Sequence, residues 1–459
     1  MTKIVILGAG LSGLSTGYFL AKLGYRVIIL EKENYLGGLS TTFRYKEFLL
    51  DLGPHKLFSQ LEVIDEIKRL MSGKLHEIPK KSRIRLRGKF YDFPVSFQQI
   101  LFGLNPIISL RLMMSYCMAF IQGKKNSNYE TYLESRFGKT GYLLLFRPYA
   151  EKVWGTPEKL SADLAASRVA IPSLFEIIKR LFFGDEGKEV IDAKSFLYPK
   201  KGIIELSKSF ARAVKKRSGQ IIFNAEITEI QLENNKISTI KYKKKNKSFN
   251  LSPDILISTI PLKSFTRYIK TTPYSVRRAV KHLKFSDLSI VFIIVNKPRL
   301  FSDNWIFFPE QEFSFNRISE QKGFSSHMGP KDKTVLMVEV TRSDILRKPN
   351  QEIINRVLRD LHNAHILKKR DVQETFIRRM KEVYPIYDVN YRRNIEEVFS
   401  FLDSIKNFYS VGRQGAFSYS GMVDCVDMGL TTANFINSSK SQNSWKKVRQ
   451  KFYNYQVID

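Results

Sequence analysis

Cysteine is almost absent. Cys117 and Cys425 are the only two in 459 residues, too few for a disulfide framework, so a reducing compartment is the expectation. Long apolar runs are scarce too: the longest, residues 99–122, is interrupted by Asn105-Pro106 and Arg111 and makes a poor transmembrane helix. No signal peptide is legible, because the apolar stretch at the N-terminus runs into glycines rather than a cleavage site. Acidic residues are in deficit, 44 Asp and Glu against 75 Lys and Arg, for a net charge of +31. Such an excess favours anionic partners. The cations are scattered, however, and no helix-turn-helix, zinc-finger or RNA-binding signature accompanies them, so nucleic acid is not expected as a partner. Runs such as 241–247 (KYKKKNK) look like a solvated hairpin tip. What remains is a globular composition, 43% hydrophobic and 13% aromatic, long enough for two or three domains with substantial cores. No metal site is expected.

The informative stretch is the first forty residues. Residues 3–7 (KIVIL) read as a buried strand that runs into Gly8-Ala9-Gly10-Leu11-Ser12-Gly13 and then a helix up to Leu23; residues 26–30 (RVIIL) read as a second buried strand ending on Glu31. This strand, glycine turn, helix, strand, acid order binds the ADP half of a dinucleotide. Gly8 permits the turn, Gly10 admits a pyrophosphate to the backbone and Gly13 lets helix and strand approach. Free N–H groups at the helix start face the phosphates, and the Glu31 carboxylate is placed to accept from ribose hydroxyls. Gly37-Gly38-Leu39-Ser40-Thr41 adds a second glycine pair just past the acid, which favours FAD over NAD.

Further along, Gly53-Pro54-His55 forces a turn, read either as a capped loop or as a loop that returns over the flavin with His55 near the ring. Residues 84–94 suggest a hairpin about Arg87-Gly88. The run 99–122 reads as a buried helix of a second domain or a pocket wall, with a monotopic, membrane-dipping surface as the alternative. Residues 129–137 and 142–152 look helical, and Pro157-Glu158 is expected to start another helix. Arg147, Lys152 and Arg168 are candidates for a diphosphate, because guanidinium forks suit phosphate oxygens. Residues 202–216 read as a helix, and 220–223, 225–232 and 255–259 as strands, with Ile227 placed to meet the adenine. Strands at 288–295 and 335–340 and a helix at 352–364 belong to the second domain. Near the end a strand at 407–411 runs into Gly412-Arg413-Gln414-Gly415 and a helix from about Val423, a second glycine junction aimed at phosphate, with Met422 at the helix start below the ring.

These motifs resemble the FAD-dependent amine-oxidase-like superfamily over nearly the whole chain. DLGPHKLFS, GKFYDFP and RPYAEKVWGTPEKLSA are similar to UDP-galactopyranose mutase and its relatives, in which the histidine of the Gly-Pro-His loop lies by the flavin. RFGKTGYLLLFRPYAEKVWGTPEKLSA and YPKKGIIELSKSF are similar to protoporphyrinogen oxidase, and VGRQGAFSYSGMVD to the C-terminal FAD motif of both branches. The chain departs from the mutase pattern after its Gly-Arg pair, where Phe417, Tyr419 and Ser420-Gly421-Met422-Val423 replace a run with two tyrosines and an Asp-Met-Asp.

The resemblance implies an α/β chain: a discontinuous Rossmann-type FAD-binding domain (1–75, 196–265 and 400–440), an α+β substrate domain of mixed sheet plus helices (76–195 and 266–399, with a helical insertion) and a tail (441–459). It implies an FAD-dependent oxidoreductase that moves a hydride from its substrate to flavin N5, or alternatively a flavin-dependent sugar-nucleotide isomerase of the mutase type. Cofactor contacts are expected from Gly8, Gly10, Leu11, Ser12, Gly13, Glu31, Lys32, Gly37, Gly38, Leu39, Ser40, Gly53, Pro54, His55, Ile227, Gly412, Arg413 and Met422. His55, Arg413 and Tyr419 are the catalytic candidates, His55 first because imidazole titrates near neutral pH. The substrate is expected to be a small molecule, phosphorylated or isoprenoid-linked, and the location cytoplasmic or peripheral on the inner face of the membrane. Cys425 reads as a packed thiol, with covalent attachment of FAD as the lesser alternative.

Overall fold

The computed structural model describes residues 1–95, 99, 103–169, 194–438 and 441–457. The start of the apolar run, residues 170–193 of the expected helical insertion, and residues 439–440 and 458–459 therefore lie outside the described residues.

Strand Lys3–Leu7, helix Leu11–Lys22 and strand Arg26–Leu30 form in the expected order. Both strands are apolar throughout their interior and buried on both faces, which suits the centre of a parallel sheet. That sheet has five strands, ordered Phe408–Ser410, Ile255–Ser258, Lys3–Leu7, Arg26–Leu30, Gln220–Ile222, all parallel. Parallel neighbours need long crossovers, so segments some 400 residues apart in the chain come together in one sheet. Helix Met422–Asn437 follows the last of these strands and packs against helix Leu11–Lys22.

The second sheet has seven strands, ordered Val372–Ile386, Lys284–Val295, Thr334–Val340, Arg317–Glu320, Trp305–Phe307, Ser82–Leu86, Lys89–Asp92. It is antiparallel except where Trp305–Phe307 runs parallel to Ser82–Leu86. The expected hairpin about Arg87-Gly88 is its edge, with both turn residues at positive φ, 51° and 81°. A three-stranded meander, Glu226–Glu233, Lys236–Lys244 and Lys247–Leu251, carries the lysine-rich hairpin tip. Parallel sheet, mixed sheet and helices together make the α/β architecture expected from the sequence. The domain boundaries given above are a proposed division; the strands of the two large sheets fall on opposite sides of it.

Several local expectations change. Pro157-Glu158 starts only a 3-10 turn, Pro157–Lys159, and the helix begins at Ala162–Arg168, where the Ser161 hydroxyl accepts from Asp163 N at 3.2 Å. A serine cap satisfies a free N–H of the first turn, which proline cannot do for itself. The run 99–122 forms helix Pro106–Gln122, but it is not the buried helix the composition suggests: only Ser109, Leu112 and Ala119 are buried. The segment expected as a tail folds back. It forms helix Trp445–Gln450, and Trp445 is buried against Tyr409 and Phe435.

Candidate functional site

The first glycine turn is built by contact as much as by conformation. Gly8 has φ +99°, a left-handed conformation that favours glycine. A Cβ at Gly13 would stand 2.0 Å from the Gly8 carbonyl oxygen, so only glycine lets the helix sit this close to the strand. Gly10 differs. Its φ is −70°, and a Cβ there would meet nothing within 4 Å. It faces open space at the N-terminus of a helix that no side chain caps. Uncapped N–H groups at a helix start carry partial positive charge and suit an anion.

The second glycine pair lies against the first. Gly37 N donates to Ala9 O at 2.9 Å, Gly10 and Gly37 form a parallel bridge, and a Cβ at Gly38 would stand 3.5 Å from the Gly10 Cα. Glu31 closes the turn: its carboxylate accepts from Ala9 N at 2.6 Å and from Glu33 N at 2.9 Å. Strand Glu226–Glu233 is held beside it, since Ala225 N donates to Glu31 O and Glu31 N to Ile222 O.

These parts line one cavity of about 1240 Å³. From the first two motifs come Gly8, Gly10, Leu11, Ser12, Glu31, Lys32, Gly37, Gly38, Leu39 and Ser40. Gly53, Pro54 and His55 join from the Gly-Pro-His loop, Ile227 from the meander, and Arg413, Tyr419 and Met422 from the C-terminal junction. Gly13 and Gly412 do not line it. They act behind the wall: Gly412 has φ +86°, and a Cβ there would stand 2.5 Å from Ser12 Oγ.

His55 is half-buried. Its Nδ1 stands 3.6 Å from Asp51 Oδ2, an ion pair only when the ring is protonated. Asp51 is itself buried and accepts from Thr42 Oγ1 and Tyr198 Oη, both at 2.6 Å. The Arg413 guanidinium donates from Nε and Nη2 to Ser420 O at 2.8 and 2.6 Å, which holds the turn at Phe417, where φ is +50°. Its face lies on Tyr384, 4.8 Å from the ring centroid. Tyr384 stacks on Tyr419 at 5.2 Å, and Arg168 stands 5.2 Å from the other ring. Arg413, Tyr384, Tyr419 and Arg168 thus form a wall of two stacked rings with a cation on each outer face, and Trp154 stands edge-on to Tyr419 at 6.2 Å.

Not every cation expected near a diphosphate is there. Arg147 pairs with Glu151, Glu158 and Glu130 away from the cavity lining. Lys152 is buried and donates to Phe308 O at 2.7 Å and Phe315 O at 3.0 Å; burial lowers its pKa to about 7. Arg392 is tied to Asp163, and Tyr387 is buried behind Tyr419, whose N–H it accepts at 2.7 Å. Cys425 is buried, lines the cavity and has its Sγ 3.7 Å from Ser420 Oγ.

Three groups were missed by sequence reasoning. Arg317 and Glu339 are register partners on adjacent strands, paired at 3.0 Å, and line the cavity beside Gly53. The signal was present: Glu339 interrupts TVLMVEV, a strand buried at every position, and a buried charge needs a partner. Asp424, at the start of helix Met422–Asn437, accepts from Gly421 N at 2.7 Å, and burial raises its pKa to about 6. Residues 454–457 also line the cavity, with Val457 O accepting from Arg168 Nη1 at 3.1 Å; nothing local announces this. Among the described residues no group of His, Cys, Asp and Glu is arranged to hold a metal.

A discontinuous parallel-sheet domain with two apposed glycine motifs, joined to a mixed sheet through a shared cavity, defines a dinucleotide-binding fold. The chain belongs to the family of flavin-containing amine oxidoreductases, which it matches over residues 11–436. It is accordingly an FAD-dependent enzyme. Among curated relatives it is 35% identical over 80 residues to an L-amino-acid oxidase of Crotalus adamanteus and 39% identical over 70 residues to a 1-hydroxycarotenoid 3,4-desaturase of a Flavobacterium. These matches cover 17% and 15% of this chain and span only 16% and 14% of those relatives. Among solved structures, reduced UDP-galactopyranose mutase covers all of both chains with a TM-score of 0.83 at 23% identity. A putative protoporphyrinogen oxidase from Exiguobacterium covers 96% of this chain and 99% of its own, at 0.72 and 18%. At these identities the likeness is one of fold.

Proposed function

We propose that this protein is an FAD-dependent oxidoreductase that removes a hydride from a C–H bond of a small substrate held against the Tyr384–Tyr419 wall. The carrying observation is the single cavity shared by both glycine motifs, Glu31, Ile227, the Gly-Pro-His loop and the start of helix Met422–Asn437. The fit to FAD rests on the space opposite Gly10, the uncapped helix start and the acid beside it. Glu31 and Ile227 would hold the adenosine half, Gly10, Leu11, Ser12, Gly37 and Gly38 the pyrophosphate, and Arg413, Gly421 and Met422 the far half. When bound, FAD supplies the hydride-accepting chemistry.

The chain's own residues orient and exclude. The stacked Tyr384 and Tyr419 present ring edges to the cavity, which keep water from the substrate. Arg168 and Arg413 supply positive charge at the ends of that stack, which suits a phosphorylated or isoprenoid-diphosphate substrate. His55, whose Nδ1 lies 3.6 Å from Asp51 Oδ2, is the group best placed to hold a proton. The enzyme is read as cytoplasmic, in peripheral contact with the inner face of a membrane.

An anaerobic screen of the purified yellow holoprotein against amines, tetrapyrrole precursors, isoprenoid-linked molecules and nucleotide sugars tests the reading. Bleaching of the flavin band on mixing supports it; a band unchanged across all four classes sinks it. The cation and aromatic wall also favours a second reading, a flavin-dependent sugar-nucleotide isomerase. That reading requires turnover only after prior reduction of the holoprotein and no net consumption of reductant. Turnover that starts from oxidised flavin and releases hydrogen peroxide in step with oxidised product excludes it.

A further inference from the structure

Helix Pro106–Gln122 inverts the ordinary burial rule. Its inner face, laid on helix Tyr129–Gly141, buries one large apolar side chain, Leu112, among small and polar groups. Ser109 and Ala119 are buried, and Ser115 lies so near Gly138 that a Cβ there would stand 2.5 Å from the Ser115 carbonyl. Thr140 N donates to Ser115 Oγ at 3.0 Å. Apart from Leu112 and Ile108, its large aliphatic side chains and Phe120 point the other way. Ile107 is 62% exposed, Phe120 65% and Ile121 82%, and Leu110, Met113, Met114 and Met118 are exposed between them. The positions recur at helical spacing and make one continuous face. A soluble monomer rarely leaves such a patch uncovered.

We propose that this face docks the protein on an anionic lipid surface, the helix lying in the plane of the bilayer interface. The inference deepens the peripheral placement proposed above and is independent of the flavin chemistry. Three observations favour lipid over a second copy of the chain. Arg111 is the only charge on the helix, and Lys124, Lys125 and Lys139 are exposed beside it, a basic rim about an apolar centre. The whole chain carries +31, which repels a like partner and draws an anionic surface. The helix has 17 residues, and among the described residues no helix is long and apolar enough to cross a membrane, so it lies on the bilayer rather than through it.

Cys117 is exposed on this same face and Cys425 is buried, so a polarity-sensitive maleimide dye on Cys117 reports directly on the contact. The holoprotein is mixed with phosphatidylcholine vesicles with and without phosphatidylglycerol. Expected are co-sedimentation and a blue shift of the dye with the anionic vesicles alone, and release when salt is raised from about 0.1 M to about 0.5 M. Met114→Asp and Ile121→Asp, each on an exposed side chain, are expected to weaken binding about tenfold or more, with flavin content and melting temperature unchanged. Lys124→Glu with Lys125→Glu is expected to abolish the preference for anionic lipid. Equal binding by the Asp variants overturns the proposal, as does a dye that stays water-exposed on bound protein. A concentration-dependent dimer without vesicle binding assigns the face to a second copy, and a monomer without vesicle binding assigns it to the chain's own residues; both overturn it. Flavin bleaching by substrate is unaffected by any of these outcomes.

Discussion

Replacing Gly10 with alanine separates the cofactor's needs from those of the fold. At Gly10 φ is −70° and an added methyl meets nothing within 4 Å, so the free protein tolerates it. Because alanine reduces the entropy of the unfolded chain, the apoprotein is expected to gain about 0.4–1 kcal/mol. FAD binding should move the other way. The methyl fills the space through which the pyrophosphate approaches the helix start, and losing one charge-assisted N–H contact costs about 1.5–3 kcal/mol, or roughly a 10- to 100-fold rise in Kd. Gly13→Ala is the control with the opposite signature: its methyl would stand 2.0 Å from the Gly8 oxygen, so apoprotein stability falls by about 1–3 kcal/mol or more. Thermal denaturation of both apoproteins and flavin fluorescence titration give the four numbers needed. If Gly10→Ala binds FAD as tightly as wild type, or destabilises the apoprotein as Gly13→Ala does, the cradle has been misread.

Asp424 makes stability depend on pH. Burial raises its pKa from 3.8 to about 6, so the folded state holds a proton that the unfolded state has released, and the stabilisation present below pH 3.8 is lost as pH rises through 6. The change corresponds to roughly 3 kcal/mol, so Asp424→Asn, which can still accept from Gly421 N, should stabilise the apoprotein above pH 6 and not below pH 4, as read by urea unfolding at several pH values. Lys152 runs on the basic side: with its pKa lowered to about 7, the unfolded state binds the extra proton between pH 7 and 10.5, and stability rises with pH across that window. The stability difference between Lys152→Met and wild type should therefore shift in the variant's favour as pH falls from about 10 to about 7; a pH-independent difference contradicts the buried-ammonium account. Arg168→Ala removes one cation from the Tyr419 face and should raise KM for an anionic substrate about tenfold or more while FAD content is retained. An unchanged KM would take Arg168 out of substrate binding.

The parts of this protein legible in its sequence are those whose physics is local. Residues 3–31 are readable because a short apolar run, three glycines at fixed spacing and an acid each satisfy a constraint set by near neighbours: a turn, a close approach, a helix start. The same holds for Gly37-Gly38, and the Arg87-Gly88 and Lys245-Asn246 turns fall where local chemistry put them. Elsewhere local signals misled. Proline at 157 is a good first helical residue, but Ser161 supplies the cap, and the helix starts there. Apolar composition over 106–122 argued for burial, whereas the small residues Ser115 and Gly138 decide which face lies inward, and most of the large ones are left outside.

Only the tertiary structure could say that Arg413 spends its fork on Ser420 O while its face covers Tyr384, that Arg317 and Glu339 meet across two strands, or that residues 454–457 return to the cavity wall. These are contacts between distant segments, fixed by crossovers and by the angle between two sheets, and no spacing in the chain encodes them. The sequence by itself determined the dinucleotide turn and the class of cofactor, because a backbone that must approach phosphate tolerates only glycine at a few positions. Which side chains share the cavity was decided by how the two sheets pack, since that alone brings residues 55, 168, 384 and 419 together.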